Sequence, residues 1–332
     1  MPGAQAGIMR RMTESKSALD GGHPKVRIVS VPADQVGRRL DNFLAGQLKG
    51  VPKSRIYRIC RKGEVRVNKG RVKPDYRLRD GDQVRIPPVR VAAPVDHGDP
   101  DGNAVQRING RVVHEDARLL VLNKPAGMAV HGGSGISFGV IELMRRARPQ
   151  AHYLELVHRL DRDTSGLLVI AKKRSALREL HDALRERRLH KRYLALVGGR
   201  WQGGRQTVDQ PLLKNTLRSG ERVVRVDAQG KRSITHFMPE RRFADTALMS
   251  VDIVTGRTHQ IRVHGAHIGH PLAGDQKYGD EALNRRLRAI GLKRLFLHAA
   301  RLELPRAEGP PLVVEAPLGP ELQQVLERLH EH

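Results

Sequence analysis

Nine residues, His158-Arg159-Leu160-Asp161-Arg162-Asp163-Thr164-Ser165-Gly166, run directly into the apolar stretch Leu167-Leu168-Val169-Ile170-Ala171. The apolar run is short, partly β-branched and closed by Lys172-Lys173, which predicts a buried strand, although a buried helical segment of that length has the same pattern. Ahead of it, two carboxylates lie among two arginines, with Thr, Ser and Gly supplying turn chemistry. A guanidinium nearby favours the charged form of a carboxylate, which is the state a nucleophilic or general-base aspartate needs. A salt-bridged turn before a core strand would have the same composition. Partners elsewhere in the chain must decide between the two.

The 332 residues suffice for one sizeable domain and a small one, and 39% hydrophobic content supports a packed core. A formal charge of +25, spread over the whole length, points to a polyanionic partner. Nucleic acid fits better than membrane, because no apolar run approaches the roughly 20 residues of a spanning helix. The single cysteine, Cys60, excludes an intramolecular disulfide and any cysteine-rich zinc site. No export signal is legible, so a cytoplasmic protein is expected. Aromatic side chains are scarce at 3%, so backbone electrostatics and shape should dominate over base stacking in any RNA contact.

Every fixed position of H-R-L-D-x-x-T-S-G is present in the nine-residue stretch, which resembles the signature loop of the RluA-type pseudouridine synthases. By that resemblance Asp161 is the essential nucleophile. The same family carries V-L-N-K-P-x-G, matched by Val121 to Gly127, where the sharp turn has a mainly architectural role. It also carries T-G-R-T-H-Q-I-R-V-H, matched by Thr255 to His264, whose later arginine pairs with the catalytic aspartate. That assigns Arg262 as the partner of Asp161, with Arg257 and His259 beside the substrate. A family tyrosine that stacks on the target base, and could serve as a base toward the sugar, falls at Tyr193. Leu297 corresponds to an apolar side chain lining the uracil pocket, and Arg159 to the residue filling the gap left by a flipped nucleotide.

Nearer the N-terminus, Val26 to Val31 alternates as a strand. Leu40, Phe43, Leu44 and Leu48 fall at helical spacing, and a second helix is predicted from Ser54, as a possible N-cap, through Arg61, with Ile56 and Ile59 inward. Two further alternating runs, Glu64 to Asn68 and Asp82 to Ile86, read as strands. From Gly37 to Pro88 there are fifteen Lys/Arg against five Asp/Glu. A solvated helix face could explain some of that excess, but contact with an RNA backbone explains it better. The segment resembles an S4 domain through R-R-L-D-N-F-L, K-S-R-I-Y-R, G-E-V-R-V-N-K and D-Y-R-L-R-D-G-D-Q-V. Arg38, Arg39, Lys53, Arg55, Arg58, Arg61, Lys62 and Lys69 are its candidate RNA-binding residues.

The expected organisation is a disordered tail over 1–23, the S4 module over 24–88, a Pro/Gly/Asp-rich linker over 89–105 and the catalytic domain over 106–332. The fold class implied is α+β, a mixed and mainly antiparallel sheet with flanking helices, preceded by the small S4 unit. Periodicity also predicts a strand over 119–122, an amphipathic helix over 175–189 and a closing helix over 321–329. Gly132-Gly133-Ser134-Gly135 lacks the Gly-Lys-Ser/Thr end of a P-loop. His259, His264 and His267 lack zinc-ligand spacing, so no metal site is expected there.

The resemblance implies isomerisation of specific uridines to pseudouridine without cofactor, metal or nucleoside triphosphate. Leu48 to Ser54 and Val130 to Gly135 resemble the branch of the family that acts on bacterial 23S (large-subunit) ribosomal RNA. That RNA, free or in pre-ribosomal particles, is the expected partner of a monomeric chain. Two other readings compete: a non-catalytic S4-type ribosome-assembly protein, and a glycosidase using Asp161 and Asp163 as a carboxylate pair. The second is poorly served by carboxylates two residues apart on one loop.

Overall fold

The computed structural model describes residues 26–48, 50–89, 101–133, 137–216, 222–306 and 308–329, and the chain divides into two units, 1–97 and 98–332. The expected tail lies outside the described residues, as does most of the expected linker.

In the first unit, alternation gives the strands Arg27–Ser30 (β1), Arg66–Val67 (β2) and Gln83–Ile86 (β3), paired antiparallel in the order β1-β3-β2. The helices Leu40–Gln47 (α1) and Lys53–Arg61 (α2) cover a small core with Leu40, Phe43, Leu44, Leu48, Ile56 and Ile59 all buried in it. Ser54 is not the cap of α2: the helix starts a residue earlier, with Pro52 at the N-cap position and no side-chain capping bond. Proline is tolerated there, since its carbonyl accepts from the Ile56 amide and its missing N–H is not needed by the helix. Between β2 and β3, Asn68 and Lys69 take positive φ, and Val67 and Gly70 close the turn with reciprocal backbone bonds.

The second unit opens with a helix, Gly102–Asn109 (α3), in a stretch whose composition reads as linker. Asp101 caps it by accepting from the Asn103 amide, and Ile108 is buried among the core residues of this unit. Strands Val112–Glu115 (β4) and Leu119–Lys124 (β5) follow, then helix Val140–Ala147 (α4), the short strand Glu155–Leu156 (β6) and the strand after the signature loop, Ser165–Ala171 (β7). Helix Arg174–Arg185 (α5) precedes strands His190–Gly198 (β8), Gln206–Asp209 (β9), Leu212–Thr216 (β10), Arg222–Val226 (β11), Ile234–Arg242 (β12) and Thr246–Ile253 (β13). The chain then forms helices Gln260–His267 (α6) and Glu281–Ala289 (α7), strands Leu297–Leu304 (β14) and Leu312–Glu315 (β15), and helix Pro320–Arg328 (α8).

Ten of these strands form one sheet, with β4-β5-β7-β14-β8-β13-β12-β9 in order, β15 against β14 and β6 against β7. All pairings are antiparallel except β7 with β14. Successive side chains on a strand point to opposite faces. Leu168 and Ile170 therefore pack in one core with Leu120, Leu122, Ala195 and Met249, while Leu167, Val169 and Ala171 pack in another with Val121, Leu180 and Leu302. A continuous apolar run is what a strand covered on both faces requires.

Gly166 explains the parallel pair. Its φ is +107°, and a Cβ there would lie 2.3 Å from the Ala299 carbonyl oxygen, so only glycine lets β7 run this close to β14. The carboxylate loop thereby ends against the strand that carries Leu297.

Candidate active site

The signature loop enters a pocket of about 930 Å³ on the face of the sheet that Tyr193 shares with Ala195 and Val197. Asp161, Tyr193, Leu297, His259, Arg262 and Arg159 all line it. Chain segments more than a hundred residues apart thus meet around one carboxylate. Asp161 and Asp163 are not equivalent: Asp163 pairs outward with Arg162, both well exposed, whereas the Asp161 side chain is 18% exposed.

Three groups fix the loop from behind. Lys124, fully buried in the N-K-P-A-G turn, donates to the carbonyl oxygens of Pro125 (2.8 Å), Met128 (2.9 Å) and Arg162 (3.0 Å). Its three N–H groups tie the turn to the residue beside Asp161. Burial lowers the Lys124 ammonium to about 7, with the charges of Asp163 and Asp161 opposing the shift. His158 accepts from the Val169 amide at Nε2 (3.2 Å), and its enclosed Nδ1 has no hydrogen-bond partner. Burial, and then the charge of Lys191, push that imidazole down to about 3, so it is neutral. Ser165 shares a 2.9 Å hydrogen bond with His298 Nδ1, joining the loop's end to β14.

The T-G-R-T-H turn is held by a residue that sequence reasoning missed. Gln260 Oε1 accepts from the Thr255 hydroxyl (2.7 Å) and the Arg257 amide (3.0 Å), while its amide nitrogen donates to the Ile234 carbonyl and the Thr235 hydroxyl. His259, next in line, takes a left-handed conformation (φ +54°) at the start of α6, a helix the sequence pattern did not announce. Its Nδ1 lies 2.8 Å from the Tyr278 hydroxyl, which also accepts from the Val224 amide. We assign the phenolic proton to that Nδ1, which puts the imidazole proton on Nε2, 3.9 Å from Asp161 Oδ2. Burial lowers the His259 pKa, and the Asp161 charge opposes it.

Arg262 corrects an expectation. Its guanidinium makes two 2.7 Å bonds to Asp275 and none to Asp161, with its Cζ also 5.0 Å from the centre of the Tyr278 ring. Both side chains are buried, and a buried guanidinium in a low-dielectric site takes the bidentate carboxylate that geometry offers. Asp275 is further fixed by the Lys277 and Tyr278 amides. Asp161 still raises the Arg262 pKa through space, after the larger effects of burial (lowering) and Asp275 (raising). Arg262 and Asp161 therefore line one pocket without a bond between them.

Tyr193 is 6% exposed, and burial followed by the Asp161 charge raises its phenol well above the ordinary value. A phenol raised in this way holds its proton, which favours the stacking role over the base role among the two expected for it. Leu297, 3% exposed, pairs with Ala195 across β8 and β14. Arg159 and Arg257 are exposed, the latter donating from Nε to the Arg232 carbonyl. His264 spends both nitrogens on Thr235 and Gln210, as a structural side chain does.

Residues 118–267 match the RNA pseudouridylate synthase family, and residues 38–84 match the S4 domain. The chain is 57% identical to ribosomal large subunit pseudouridine synthase C of Salmonella typhi, over 92% of this chain and 97% of the relative. It is 56% identical to the protein of that name from Escherichia coli K12, with the same shares covered. The chain belongs to the RluA-type pseudouridine synthases. Two solved human structures share the fold of this synthase. RNA Pseudouridylate Synthase Domain Containing 4 is 26% identical with a TM-score of 0.58, over 69% of this chain and 97% of that one. Domain Containing 1 is 27% identical with a TM-score of 0.56, over 71% and 92%.

The synthase's S4 unit sorts its basic residues into two groups. Arg39 chelates the buried Asp41 through Nε (3.2 Å) and a terminal nitrogen (2.7 Å), and Tyr57 donates to the same carboxylate. This pair ties Arg39 into the module while leaving its side chain 42% exposed. Arg38 bonds to Gln35 and to the Asn42 carbonyl. Arg55, Arg58, Arg61, Lys62 and Lys69 are exposed. The side chain of Lys53 lies outside the described residues.

Proposed function

We propose that this synthase converts uridines of large-subunit ribosomal RNA to pseudouridine with Asp161 as the group that engages the target nucleoside. The observation that carries the reading is the position of Asp161: one recessed carboxylate, facing a pocket walled by Tyr193 and Leu297, on a loop anchored by Lys124. The names of the close relatives support the choice of RNA.

A glycosidic carbon is out of reach in a stacked helix, so the uridine must flip into the pocket, at a cost of a few kcal/mol. Arg159, exposed on the same loop, fills the gap it leaves. Tyr193 offers its ring face to the base and keeps its proton, and Leu297 closes the other wall. Asp161 then attacks or stabilises the sugar–base unit as the C–N bond breaks; the base rotates and rejoins through C5, any bond to Asp161 breaks, and the C5 proton leaves as N1 takes one up. Nothing is oxidised, reduced or hydrolysed overall. The Nε2–H of His259, 3.9 Å from Asp161 Oδ2, and the Arg262 guanidinium line the same pocket as Asp161, and the pocket excludes water. Arg257, beside the turn, contacts the flanking backbone. Arg55, Arg58, Arg61, Lys62, Lys69 and Arg38 provide the sequence-independent hold on RNA that offsets the cost of flipping. The chain acts as a cytoplasmic monomer, on naked RNA or on assembly intermediates.

The test incubates the full chain with in vitro transcribed large-subunit and small-subunit RNA, without cofactor, and maps pseudouridine chemically. Modification at a few uridines of the large-subunit RNA alone is expected. Equal modification of both, or of neither, contradicts the reading.

A further inference from the structure

The pocket contains more positive charge than the reaction at Asp161 explains, and its cations fall into three kinds. Arg262 is bonded to Asp275, Arg192 to Asp252, Arg185 to Asp182, and Arg301 to Glu303 and Glu315. Arg159, Arg187, Arg205 and Arg257 have no carboxylate partner among the described residues, but all four are exposed, where water solvates them. Lys191 alone among these cations is both recessed and unpaired.

Its place follows from the strand. Lys191 precedes Tyr193 by two residues on β8, so both side chains point to the pocket face of the sheet. The side chain is half-buried, and no hydrogen bond or ion pair engages its ammonium among the described residues. Burial lowers that ammonium to about 8, and no carboxylate is paired with it among the described residues. The Nζ sits against the Thr-Gly turn: a Cβ on Gly256 would lie 3.6 Å from it, and the missing side chain leaves that flank open. A recessed cation without a counter-charge is costly in the free protein, and an anionic ligand removes that cost.

We propose that Lys191 binds a backbone phosphate flanking the flipped uridine and so positions the target nucleotide over Asp161. Uridine is neutral, and phosphates are the anionic groups that RNA brings to the site. The proposal rests on the RNA-modifying reading above and names a contact within that same pocket. Lys191 is a substrate-binding residue here, and its ammonium takes no part in bond exchange.

The experiment uses the full chain as wild type, Lys191→Met and Lys191→Arg, with large-subunit RNA transcribed in vitro. Turnover is measured to separate KM from kcat, and equilibrium binding is measured across a salt series. Lys191→Met is expected to raise KM by about tenfold while kcat changes less, as loss of one charge-assisted contact predicts. It should also flatten the log–log salt dependence of binding by about 0.7–0.9, the value of one phosphate contact. Lys191→Arg, which keeps the charge, should restore both. Wild-type KM and salt slope in Lys191→Met overturn the proposal, as does a raised KM that Lys191→Arg fails to rescue. A wild type that forms no pseudouridine counts against the function above, and the salt slopes still decide whether Lys191 meets a phosphate.

Discussion

Arg262 and Asp275 form a two-bond ion pair, 2.7 Å on each arm, with both side chains buried. The pair fixes the guanidinium in the pocket that Asp161 also lines, with no bond between Arg262 and Asp161. Asp275→Asn leaves that guanidinium uncompensated, and removing one partner of a buried pair costs about 3–5 kcal/mol. Thermal melts should show the loss. Single-turnover assays below the melting range should show a rate at least about tenfold lower, since the guanidinium in the Asp161 pocket is no longer fixed. A stable, fully active Asp275→Asn variant contradicts this account of the pair.

Lys124 supports the active loop from the opposite side. Lys124→Met removes three donors and strands the carbonyls of Pro125, Met128 and Arg162 in a buried place. Each unsatisfied acceptor costs about 1–3 kcal/mol, so a loss of about 3 kcal/mol or more is expected in urea titrations. Activity should fall further than the folded fraction does, because the Arg162 carbonyl adjoins Asp161. Equal losses of the two would make Lys124 a stability residue only.

His158 gives the fold an acid-sensitive site. Its folded pKa is depressed to about 3 from 6.5, chiefly by burial. Between those values the unfolded chain binds more protons than the folded one, so stability rises with pH across the window. The contribution is complete above 6.5 and is lost as pH falls toward 3. Denaturation from pH 3 to 7 should show a shallower slope in His158→Gln than in the wild type. Identical slopes would mean that the imidazole charges freely in the fold.

The S4 unit offers a paired comparison. Arg39→Ala frees the buried Asp41 carboxylate and should lower the stability of the module. Arg58→Ala should leave stability unchanged and reduce the salt slope of RNA binding by about 0.7–0.9. The reverse outcome would exchange the roles given to these two arginines.

The sequence made the signature loop, its buried strand and the S4 helices legible because each has a strong local period or a fixed turn. The helix after Thr255 was hidden, since Gln260–His267 is apolar and basic on all sides and begins at a left-handed histidine. Helix Gly102–Asn109 was masked by the Gly and Asp that cap and open it. Among site residues, Asp161, Tyr193 and Leu297 lie where the motifs put them, lining one pocket. The partner of Arg262 did not follow from its motif, because Asp275 lies thirteen residues further on in a segment with no charge pattern of its own. Gln260 and Tyr278 were missed for the same reason: their roles are bonds to other segments, which spacing along one chain does not reveal. A signal did exist for Lys124, a charged residue closing a strand that begins with four apolar residues.

Asp161→Asn tests the central claim most directly. The variant keeps the size of the side chain and removes its charge and nucleophilicity. Wild type and variant are incubated with large-subunit RNA, and both pseudouridine formation and RNA binding are measured. The account predicts binding close to that of the wild type and no pseudouridine above background. Pseudouridine at the wild-type positions in Asp161→Asn would contradict it.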